Sequence, residues 1–575
     1  GADMIESFLI FSKSYRFLWF FLIATFLATN ISGNDVPAFP GAEGFGKYSK
    51  GGRGGVVLQV TNVNDNGPGS LREALEYEGP RIIVFSVSGV ISLKEPIFID
   101  NPFVTLLGHT APEKGVAIRG NQLHIRTHDV IIRFLRMRIG DVNFGKLNHW
   151  QSLDAIDIGN GKSDDVHNII IDHCSISWAT DENIGLWGDS YNITIQNSII
   201  SEGLNFGKNI QKRGMGILVG PWAERISILN NLFIHNGKRN PRMGNGGLGD
   251  VRNNTIYNPG WMGINIWNEK TDKPQTLNIV KNIFIPGPDT EFEKEISIWD
   301  PTTHPGKVYI ADNLGFSGDT NYDNWVMVED ANSPRDPITP EQIERVKSDE
   351  EFLNEVSKTK SFEEMNHYVQ YYVGASLPLR DEVDVRLINE WKSGKGKLIK
   401  SQDEVGGWPV YSAGIKRVTL FGEGNGDDII PLGWREKYNI WRGDENEDFN
   451  GNGYTNIEEF FNGTNPLSQE EPSIMQIFEG FGAIVEEKRS VELEQNFPNP
   501  FRDYTNIRFS IQKHVFVLFN IYDYTGIKVD ELVDAELYPG RYEILWKPSK
   551  GLPPGIYLGY MVIGNEKLSI KMMMN

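Results

Sequence analysis

The chain has 575 residues, more than one ordinary core accommodates, so two or three domains are expected. Its net charge of −20 argues against nucleic acid as a partner, because phosphate binding needs a basic surface. The 60 glycines and 29 prolines favour many short strands over long helices. The single cysteine, Cys174, excludes an intrachain disulfide and is expected to be a buried small apolar residue.

Residues 1–33 are predicted to be a signal peptide. Lys13 and Arg16 precede an apolar run at 17–28, and small or polar residues follow it. The run is shorter than the roughly 20 residues of a spanning helix, which favours a signal peptide over a short membrane anchor. The protein is therefore expected to be secreted or on the cell surface, with no stable membrane span.

A strand at 56–60 and a short helix at 70–76, capped by Ser70, are predicted before a long repetitive region. From Ile82 onward, strands of a few residues alternate with polar turns. Six of these units run from an aliphatic strand into His or Asn, ending at His173, Asn197, Asn231, Asn254, Asn282 and Asn313. The intervals between them are 24, 34, 23, 28 and 31 residues, which predicts a solenoid in which one turn varies in length. We expect these side chains to form a hydrogen-bonded ladder between coils.

The strands are continuous aliphatic runs, which is typical of parallel strands covered on both faces. The predicted fold is therefore all-β, with a right-handed parallel β-helix over residues 34–415. Helical spacing at 341–368 predicts an insertion or a helix on the flank of the coils.

The sequence DFNGNGYTNIEE at 448–459 has the pattern of an EF-hand-type calcium loop, within a predicted segment at 416–470. Oxygen ligands stand at loop positions 1, 3, 5, 7, 9 and 12, with glycine at position 6. The predicted ligands of this second metal loop are Asp448, Asn450, Asn452, Tyr454, Asn456 and Glu459. Such a loop is expected to bind Ca²⁺ structurally, whereas the alternative is a solvated acidic turn.

Residues 471–488 are predicted to be a linker. Alternating strands follow at 505–511, 515–522, 542–546 and 555–562, among about seven short strands in 85 residues. This pattern predicts a C-terminal β-sandwich over residues 489–575.

Several motifs in the repetitive region resemble the pectate lyase family of parallel β-helix enzymes. They are FPGAEGFG at 39–46, RMRIGD at 136–141, DAID at 154–157, IDH at 171–173, WATDEN at 178–183 and RNPR at 239–242. The resemblance covers roughly residues 38–415. It implies a calcium-assisted β-elimination of polygalacturonate, with a bound cation compensating for an acidic protein that handles an acidic substrate.

The same resemblance implies roles for individual residues. Arg239 is expected to be the catalytic base, although arginine normally stays protonated, and the alternative is a cationic stabiliser with another group taking the proton. The expected calcium ligands are Asp154, Asp157, Asp181 and Glu182. The expected substrate-binding residues are Arg242, Lys212 and Arg213.

The sequence departs from the family pattern at three positions. Gly185 stands where a second acidic calcium ligand is usual, and Glu182 is expected to replace it. Met215 holds the place of a substrate-binding lysine. Gly244 holds the place of the second arginine of the family's Arg-x-Pro-x-x-Arg pattern, which begins at Arg239, and Arg242 is expected to take its task.

The C-terminal region resembles the sorting domain of proteins exported by the type IX machinery of Bacteroidetes-type bacteria. The motifs are QNFPNPF at 495–501 and GIY at 555–557. The resemblance implies an address for secretion with no part in catalysis. The partners expected are thus an acidic polysaccharide and the type IX machinery, for a protein that is otherwise a monomer.

Two other functions compete with the lyase. A β-helical glycoside hydrolase could use Asp154, Asp157 and Asp181 as acid and base without a metal, but it would leave the arginine motif unexplained. A non-catalytic carbohydrate-binding β-helix is consistent with the departures at Gly185, Met215 and Gly244.

Overall fold

The computed structural model describes most of the chain downstream of residue 35. The described residues are 36–142, 153–159, 165–205, 213–267, 273–303, 306–319, 323–333, 337–352, 358–411, 430, 432–441, 443–470, 472, 476, 478, 491–511, 515–537, 540–549, 551–563 and 566–575. The described residues from Ala38 to Asn575 belong to one compact unit. The predicted signal peptide lies outside the described residues, as does nearly all of the predicted linker.

Three parallel sheets run along the repetitive region, and successive coils of the chain add one strand to each sheet in turn. Sheet 1 contains β1 (Val56–Val60), β2 (Arg81–Phe85), β5 (Val104–Leu107), β8 (Val130–Arg133), β11 (Val166–Asp172), β14 (Ser190–Gln196), β17 (Glu224–Leu229), β20 (Gly247–Arg252), β23 (Gln275–Val280) and β26 (Lys307–Ala311). Sheet 2 contains β4 (Ile97–Ile99), β7 (Leu123–Ile125), β10 (Ile156–Gly159), β13 (Glu182–Trp187), β16 (Met215–Val219), β19 (Arg242–Met243), β22 (Ile264–Ile266), β25 (Ile296–Ile298) and β27 (Val328–Asp330). Sheet 3 contains β3 (Gly89–Ser92), β6 (Val116–Arg119), β9 (Arg136–Arg138), β12 (Ser175–Ser177), β15 (Ile199–Ser201), β18 (Leu232–Ile234), β21 (Thr255–Tyr257) and β24 (Ile283–Ile285).

The interior of the coils is a continuous aliphatic core. In sheet 1, Ile169 pairs with Ile193 and Ile193 with Ile226, and all three side chains are fully buried in that core. Strand β8 of sheet 1 is wholly buried, because the coil interior covers one face and the segment with Ala38 and Phe39 covers the other. The prediction of stacked parallel strands is confirmed, and that of two covered faces holds for sheet 1 and not for sheet 2, whose outer face carries a groove.

A buried asparagine ladder joins the later coils, and its register differs from the prediction. The side chains of Asn231, Asn254, Asn282 and Asn313 each donate to the next asparagine along the stack, at 2.9–3.0 Å. The strand pairing, however, aligns Asp172 with Gln196 and Gln196 with Leu229.

The expected membership of His173 and Asn197 in the ladder is therefore wrong by one residue. They lie at the preceding position, where φ is positive, and Cys174 and Ser198 occupy the ladder position in their coils. Burial raises the pKa of the Cys174 thiol to about 12, and the side chain is buried as expected.

The described helices lie outside the coils. They are α1 (Leu71–Glu76), α2 (Pro340–Val346), α3 (Phe362–Tyr371), α4 (Glu382–Ser393), α5 (Leu432–Tyr438) and α6 (Asn456–Asn462). Ser70 caps α1, as predicted, by accepting a hydrogen bond from the Glu73 backbone. The helical spacing at 341–368 belongs to α2 and α3, two helices that each begin at their own capping box.

Helix α4 is attached to sheet 3 by a buried ionic network. The Arg138 guanidinium donates to Asp381 at 2.7 Å and to Asp384 at 2.9 Å, and Ser175 donates to Asp384 at 2.6 Å. These groups are completely buried, so each charge is stabilised by its partner. The RMRIGD motif at 136–141 thus has a structural task in this chain.

The C-terminal region contains two antiparallel sheets. One consists of β28 (Val491–Leu493), β29 (Thr505–Ile511) and β32 (Gly540–Trp546), and the other of β30 (Val515–Asp523), β31 (Lys528–Leu537), β33 (Gly555–Ile563) and β34 (Glu566–Met574). Side chains from both sheets, including Phe509 and Phe519, share one apolar core. Among the described residues, no helix has the length and apolar character needed to cross a membrane.

The asparagine ladder should contribute measurably to stability. In Asn282→Ala, the Asn254 backbone and side-chain amides lose their acceptor, and the Val251 carbonyl loses its donor. Leaving buried polar groups without partners costs about 1–3 kcal/mol. We expect the free energy of unfolding, measured in urea, to fall by this amount, and the urea midpoint to fall with it. Asn64→Ala, at an exposed asparagine, should change the free energy of unfolding by less than about 0.5 kcal/mol. Equal midpoints for the two variants would contradict a stabilising ladder.

Candidate active site

A groove of about 450 Å³ lies on sheet 2, over the ends of strands β10 to β22. It brings together six of the residues expected from the sequence, namely Asp154, Asp157, Asp181, Glu182, Arg239 and Arg242. These residues lie on three coils, and the parallel register of the strands places them side by side.

Three carboxylates converge in this groove. Asp154, Asp181 and Glu182 each offer an oxygen atom, and the three atoms lie within 4.8 Å of one another. The Glu182 backbone amide donates to Asp154 Oδ1 at 3.0 Å, and the Asp181 amide donates to the Leu153 carbonyl at 3.2 Å. These bonds join two coils and hold the acidic groups together.

The carboxylate cluster is electrostatically unfavourable without a cation. Burial raises the pKa of Asp154 well above its ordinary value, and the neighbouring Asp181 and Asp157 raise it further. Arg239 opposes this effect only in part. A group of hard oxygen ligands under mutual repulsion is the donor set that Ca²⁺ favours.

Gly185 lies directly beside the cluster and explains one departure from the family pattern. The pairing of β10 with β13 sets Asp157 opposite Gly185. A Cβ atom on Gly185 would stand 2.2 Å from Asp154 Oδ2, so an acidic side chain at this position would displace Asp154.

The fourth acid of the groove is Asp157. Its Oδ2 contacts His124 Nδ1 at 3.0 Å, while its buried Oδ1 has no hydrogen-bond partner among the described residues.

Arg239 reaches the cluster from a constrained turn. Its φ of 63° is unusual for a residue with a side chain, and its carbonyl accepts a hydrogen bond from Ile217 at 2.8 Å. Gly216 permits this approach, because a Cβ atom there would stand 2.4 Å from the Arg239 carbonyl oxygen. The Arg239 guanidinium contacts the Glu182 carboxylate.

Burial lowers the pKa of Arg239 below its ordinary value, and Asp181 and Asp154 partly oppose this shift. A guanidinium held in this environment is closer to losing its proton than an exposed one. This is the direction that a catalytic base requires.

A basic group that sequence reasoning missed lies next to the acidic cluster. Lys238 forms a parallel bridge with Met215, the residue that holds the place of the family lysine. Burial lowers the pKa of Lys238, and the positive charges of Arg242 and Arg213 lower it further. Arg213 donates to the Thr180 carbonyl at 3.4 Å and is not part of the groove wall, while Lys212 lies outside the described residues.

Sequence reasoning also missed His124, which contacts Asp157, and the groove tryptophans Trp187 and Trp267. Nothing in the chain next to them indicates a role, because strand register alone brings them to these positions. His173, in contrast, is structural as expected: it contacts Asp172 at 2.9 Å and stacks on Phe134.

The loop at 448–459 is folded around its own side chains. The Asp448 carboxylate accepts hydrogen bonds from the amides of Gly451, Asn452 and Gly453. The side chains of Asn450 and Asn452 donate to Glu459, at 3.0 and 2.8 Å. Burial raises the pKa of Glu459. The side chains at positions 1, 3, 5 and 12 are thus linked in one hydrogen-bonded loop, and α6 begins at Asn456, the ninth residue of that loop.

The comparisons with known proteins agree with this site. The chain is 35% identical over 400 residues to the probable pectate lyase C of Aspergillus flavus, covering 68% of this chain and 86% of that protein. It is 35% identical over 417 residues to the probable pectate lyase C of Aspergillus terreus, with the same coverage. No protein-family model matches the chain.

Among solved structures, the pectate lyase Bsp165PelA of Bacillus sp. N165 covers 58% of this chain and 98% of its own. Its TM-score is 0.39 and its identity 13%. By its similarity to the two Aspergillus proteins, the protein is a polysaccharide lyase. The chain belongs to the pectate lyase family. These two relatives are fungal and give no support to a Bacteroidetes-type origin.

The buried charge on Asp154 should destabilise the metal-free protein at neutral pH. The folded chain holds the Asp154 proton more tightly than the unfolded chain, so the free energy of unfolding falls as pH rises from the ordinary pKa of aspartate to the raised one. Asp154→Asn cannot ionise. In a chelator, we expect its free energy of unfolding, measured in urea, to exceed that of the parent protein by about 1 kcal/mol above this pH range. Below the range the two free energies should match.

The exposed Asp503→Asn serves as the control for that comparison. It should leave the dependence of the midpoint on pH unchanged. A parent protein and Asp154→Asn variant with the same dependence on pH would show that the Asp154 carboxylate is not under the strain described above.

Proposed function

We propose that the protein cleaves an acidic polysaccharide of the polygalacturonate type by β-elimination, with Ca²⁺ as cofactor and Arg239 as the base. The observation that carries this proposal is the convergence of three carboxylates within 4.8 Å, with the Arg239 guanidinium against one of them, in a single groove. Both Aspergillus relatives are named as probable pectate lyases, which supports polygalacturonate as the substrate class.

The groove residues fit a Ca²⁺ ion by their chemistry. Asp154, Asp181 and Glu182 are the proposed ligands, and the buried Oδ1 of Asp157, which lacks a partner among the described residues, is a fourth oxygen. Glu182 takes the part of the acid that Gly185 cannot supply. When bound, the ion would withdraw charge from the substrate carboxylate next to the C5 proton and so make that proton more acidic.

Arg239 is proposed to accept the C5 proton. The electron pair of the C5–H bond becomes the C4–C5 double bond, the C4–O bond breaks, and the departing oxygen is protonated by water. Burial lowers the pKa of Arg239, so at a given pH a larger fraction of it is neutral and able to act as a base than for an exposed arginine. The positive charges on Arg242 and Lys238 would hold substrate carboxylates beside it.

Lys238 is the proposed replacement for the lysine that the family has at Met215. The parallel bridge between these residues places Lys238 in the same row of the sheet, one coil further along. Arg213, near the groove, and Lys212, outside the described residues, remain predicted substrate contacts.

A carboxylate hydrolase fits this geometry less well. Hydrolysis with inversion requires carboxyl groups roughly 6.5–9.5 Å apart, and retention requires about 5–5.5 Å. Oxygen atoms within 4.8 Å of one another, facing an arginine, are better suited to holding a cation.

The loop at 448–459 is proposed to bind a second, structural Ca²⁺ through Asp448, Asn450, Asn452, the Tyr454 carbonyl, Asn456 and Glu459. Helix α6, which begins within the loop, packs Phe460 and Phe461 against Ile82 and Val84 of β2. Arg53 binds Glu458 at 2.9 Å. An ion in the loop would therefore fasten α6 to the outer face of sheet 1.

Export is proposed from the two ends of the chain. Residues 1–33 would direct secretion, and residues 489–575, as a β-sandwich, would be read by a type IX machinery. The QNFPNPF motif supports this by its integration into the C-terminal sheets: Asn496 donates to Thr505 at 2.8 Å, and Phe501 donates to Met573 at 2.9 Å.

The catalytic proposal predicts that Arg239→Lys loses activity while the fold is kept. Lysine cannot reproduce the planar guanidinium in this turn, so we expect kcat on polygalacturonate to fall by about 10²–10³-fold. The measurement is the ultraviolet absorbance of the unsaturated product in the presence of Ca²⁺, with Arg345→Lys, at an exposed arginine, as the control.

The same assay separates the competing functions. A lyase produces unsaturated ends and stops when a chelator is added. Reducing ends without ultraviolet absorbance would establish hydrolysis instead, and neither product would establish a binding protein.

The second calcium loop predicts a local effect on α6. With Ca²⁺ at about 100 times the dissociation constant, amide hydrogen exchange in Asn456–Asn462 should slow by about 100-fold relative to a chelator. Glu459→Gln should abolish this protection, because it removes the charged ligand at position 12, whereas the exposed Glu470→Gln should retain it. Protection that survives in Glu459→Gln would rule out the loop as the binding site.

A further inference from the structure

Five residues occupy the same position on five consecutive coils of sheet 2. They are Trp187, Gly220, Gly244, Trp267 and Trp299. The register is continuous, since the backbone amides of the last four each donate to the coil before them at 2.8–2.9 Å. We call these residues the tryptophan row. It passes through the groove, whose wall contains its first four members.

The far end of the row presents a broad aromatic surface. The rings of Trp267 and Trp299 lie 5.7 Å apart, inclined by 30°, and Trp299 is 37% exposed. The Arg242 guanidinium lies 3.2 Å from the centre of the Trp267 ring. Arg242 is therefore held by a cation–π contact at the junction between the charged part of the groove and the aromatic surface.

The two glycines keep the groove open between Trp187 and Trp267. A Cβ atom on Gly220 would stand 2.8 Å from the Trp187 ring, and one on Gly244 would stand 2.8 Å from the Val219 carbonyl oxygen. Neighbouring strands are about 4.8 Å apart, so the Cα atoms of Trp187 and Trp267 are separated by roughly 14 Å, and the two positions between them contribute no side chain of their own to the floor. Gly244, where the family pattern has an arginine, belongs to this floor.

We infer that Trp267 and Trp299 form a stacking platform for pyranose rings of the polysaccharide chain, on one side of the carboxylate cluster. The inference rests on the proposed function, because the platform continues the groove in which Asp154, Glu182 and Arg239 lie. The exposed indole of Trp299 offers a large apolar contact to the C–H face of a sugar ring, and Trp267, against which both Trp299 and Arg242 pack, supports it from below. Arg242, seated on Trp267, offers a positive charge to the carboxylate of the same sugar.

The platform explains how the chain binds a long substrate despite the loss of the basic residue at Gly244. Stacking uses the sugar face and makes no demand on its charge. The stacking contact is thus independent of whether each carboxylate is ionised or esterified, in contrast to the contact with Arg242 and to binding near the Ca²⁺ ligands.

The test compares Trp267→Ala, Trp299→Ala and the double variant with Trp441→Ala, at a 61% exposed tryptophan after α5. On polygalacturonate, we expect the double variant to raise KM about tenfold with kcat within about twofold, because the platform lies beyond the reacting bond. Trp267→Phe should restore most of the affinity, since it keeps an aromatic face.

Binding is measured separately, by affinity electrophoresis in polygalacturonate. This second measurement does not depend on turnover, so an inactive parent protein that binds the polymer through Trp267 and Trp299 would overturn the proposed function and keep the platform. A double variant with the KM and polymer affinity of Trp441→Ala would overturn the platform and leave the lyase proposal intact. A fall in kcat as large as the rise in KM would also overturn it.

Discussion

The parallel, in-register stacking of coils is the constraint on which the rest of this structure depends. Each strand of sheet 2 is hydrogen-bonded to strands contributed by the preceding and following coils, so a position on one coil has a fixed neighbour on the next. Asp154, Glu182 and Arg239 are far apart in sequence and meet because of this registry. The buried isoleucines and the asparagine ladder stabilise the same registry from inside.

Like charges gathered by the stack set the electrostatics of the groove. Burial and the neighbouring Asp181 and Asp157 raise the pKa of Asp154, while burial lowers that of Arg239, so both ionised forms are under strain without a cation. The proposed calcium-assisted elimination uses this strain, because a bound cation favours the ionised carboxylates. The constrained backbone at Arg239 and the small residue at Gly216 hold the guanidinium in place at a local conformational cost.

Segments outside the coils are attached by polar contacts in addition to apolar packing. Arg138 binds Asp381 and Asp384 beneath α4, and Arg53 binds Glu458 beside α6. Buried ion pairs of this kind tolerate few alternative partners, which fixes where each helix sits. The flanks therefore cover the outer faces of sheets 1 and 3, and the groove of sheet 2 stays open to a polymer.

The sequence by itself determined the stacked parallel strands, the capped helix at Ser70 and the group of acidic residues with Arg239, because these follow from local patterns and short motifs. The sequence did not determine the register of the strands between neighbouring coils. Turns of different length left the alignment of His173 and Asn197 wrong by one residue, and in a strand one residue changes the face of every side chain. Only the tertiary structure decided that the Asp154 carboxylate occupies the space beside Gly185 and that Lys238 lies beside Met215. It also decided that Trp187, Trp267 and Trp299 share a row. Each of these is a contact between coils, and its distance along the chain depends on turns that no local pattern specifies.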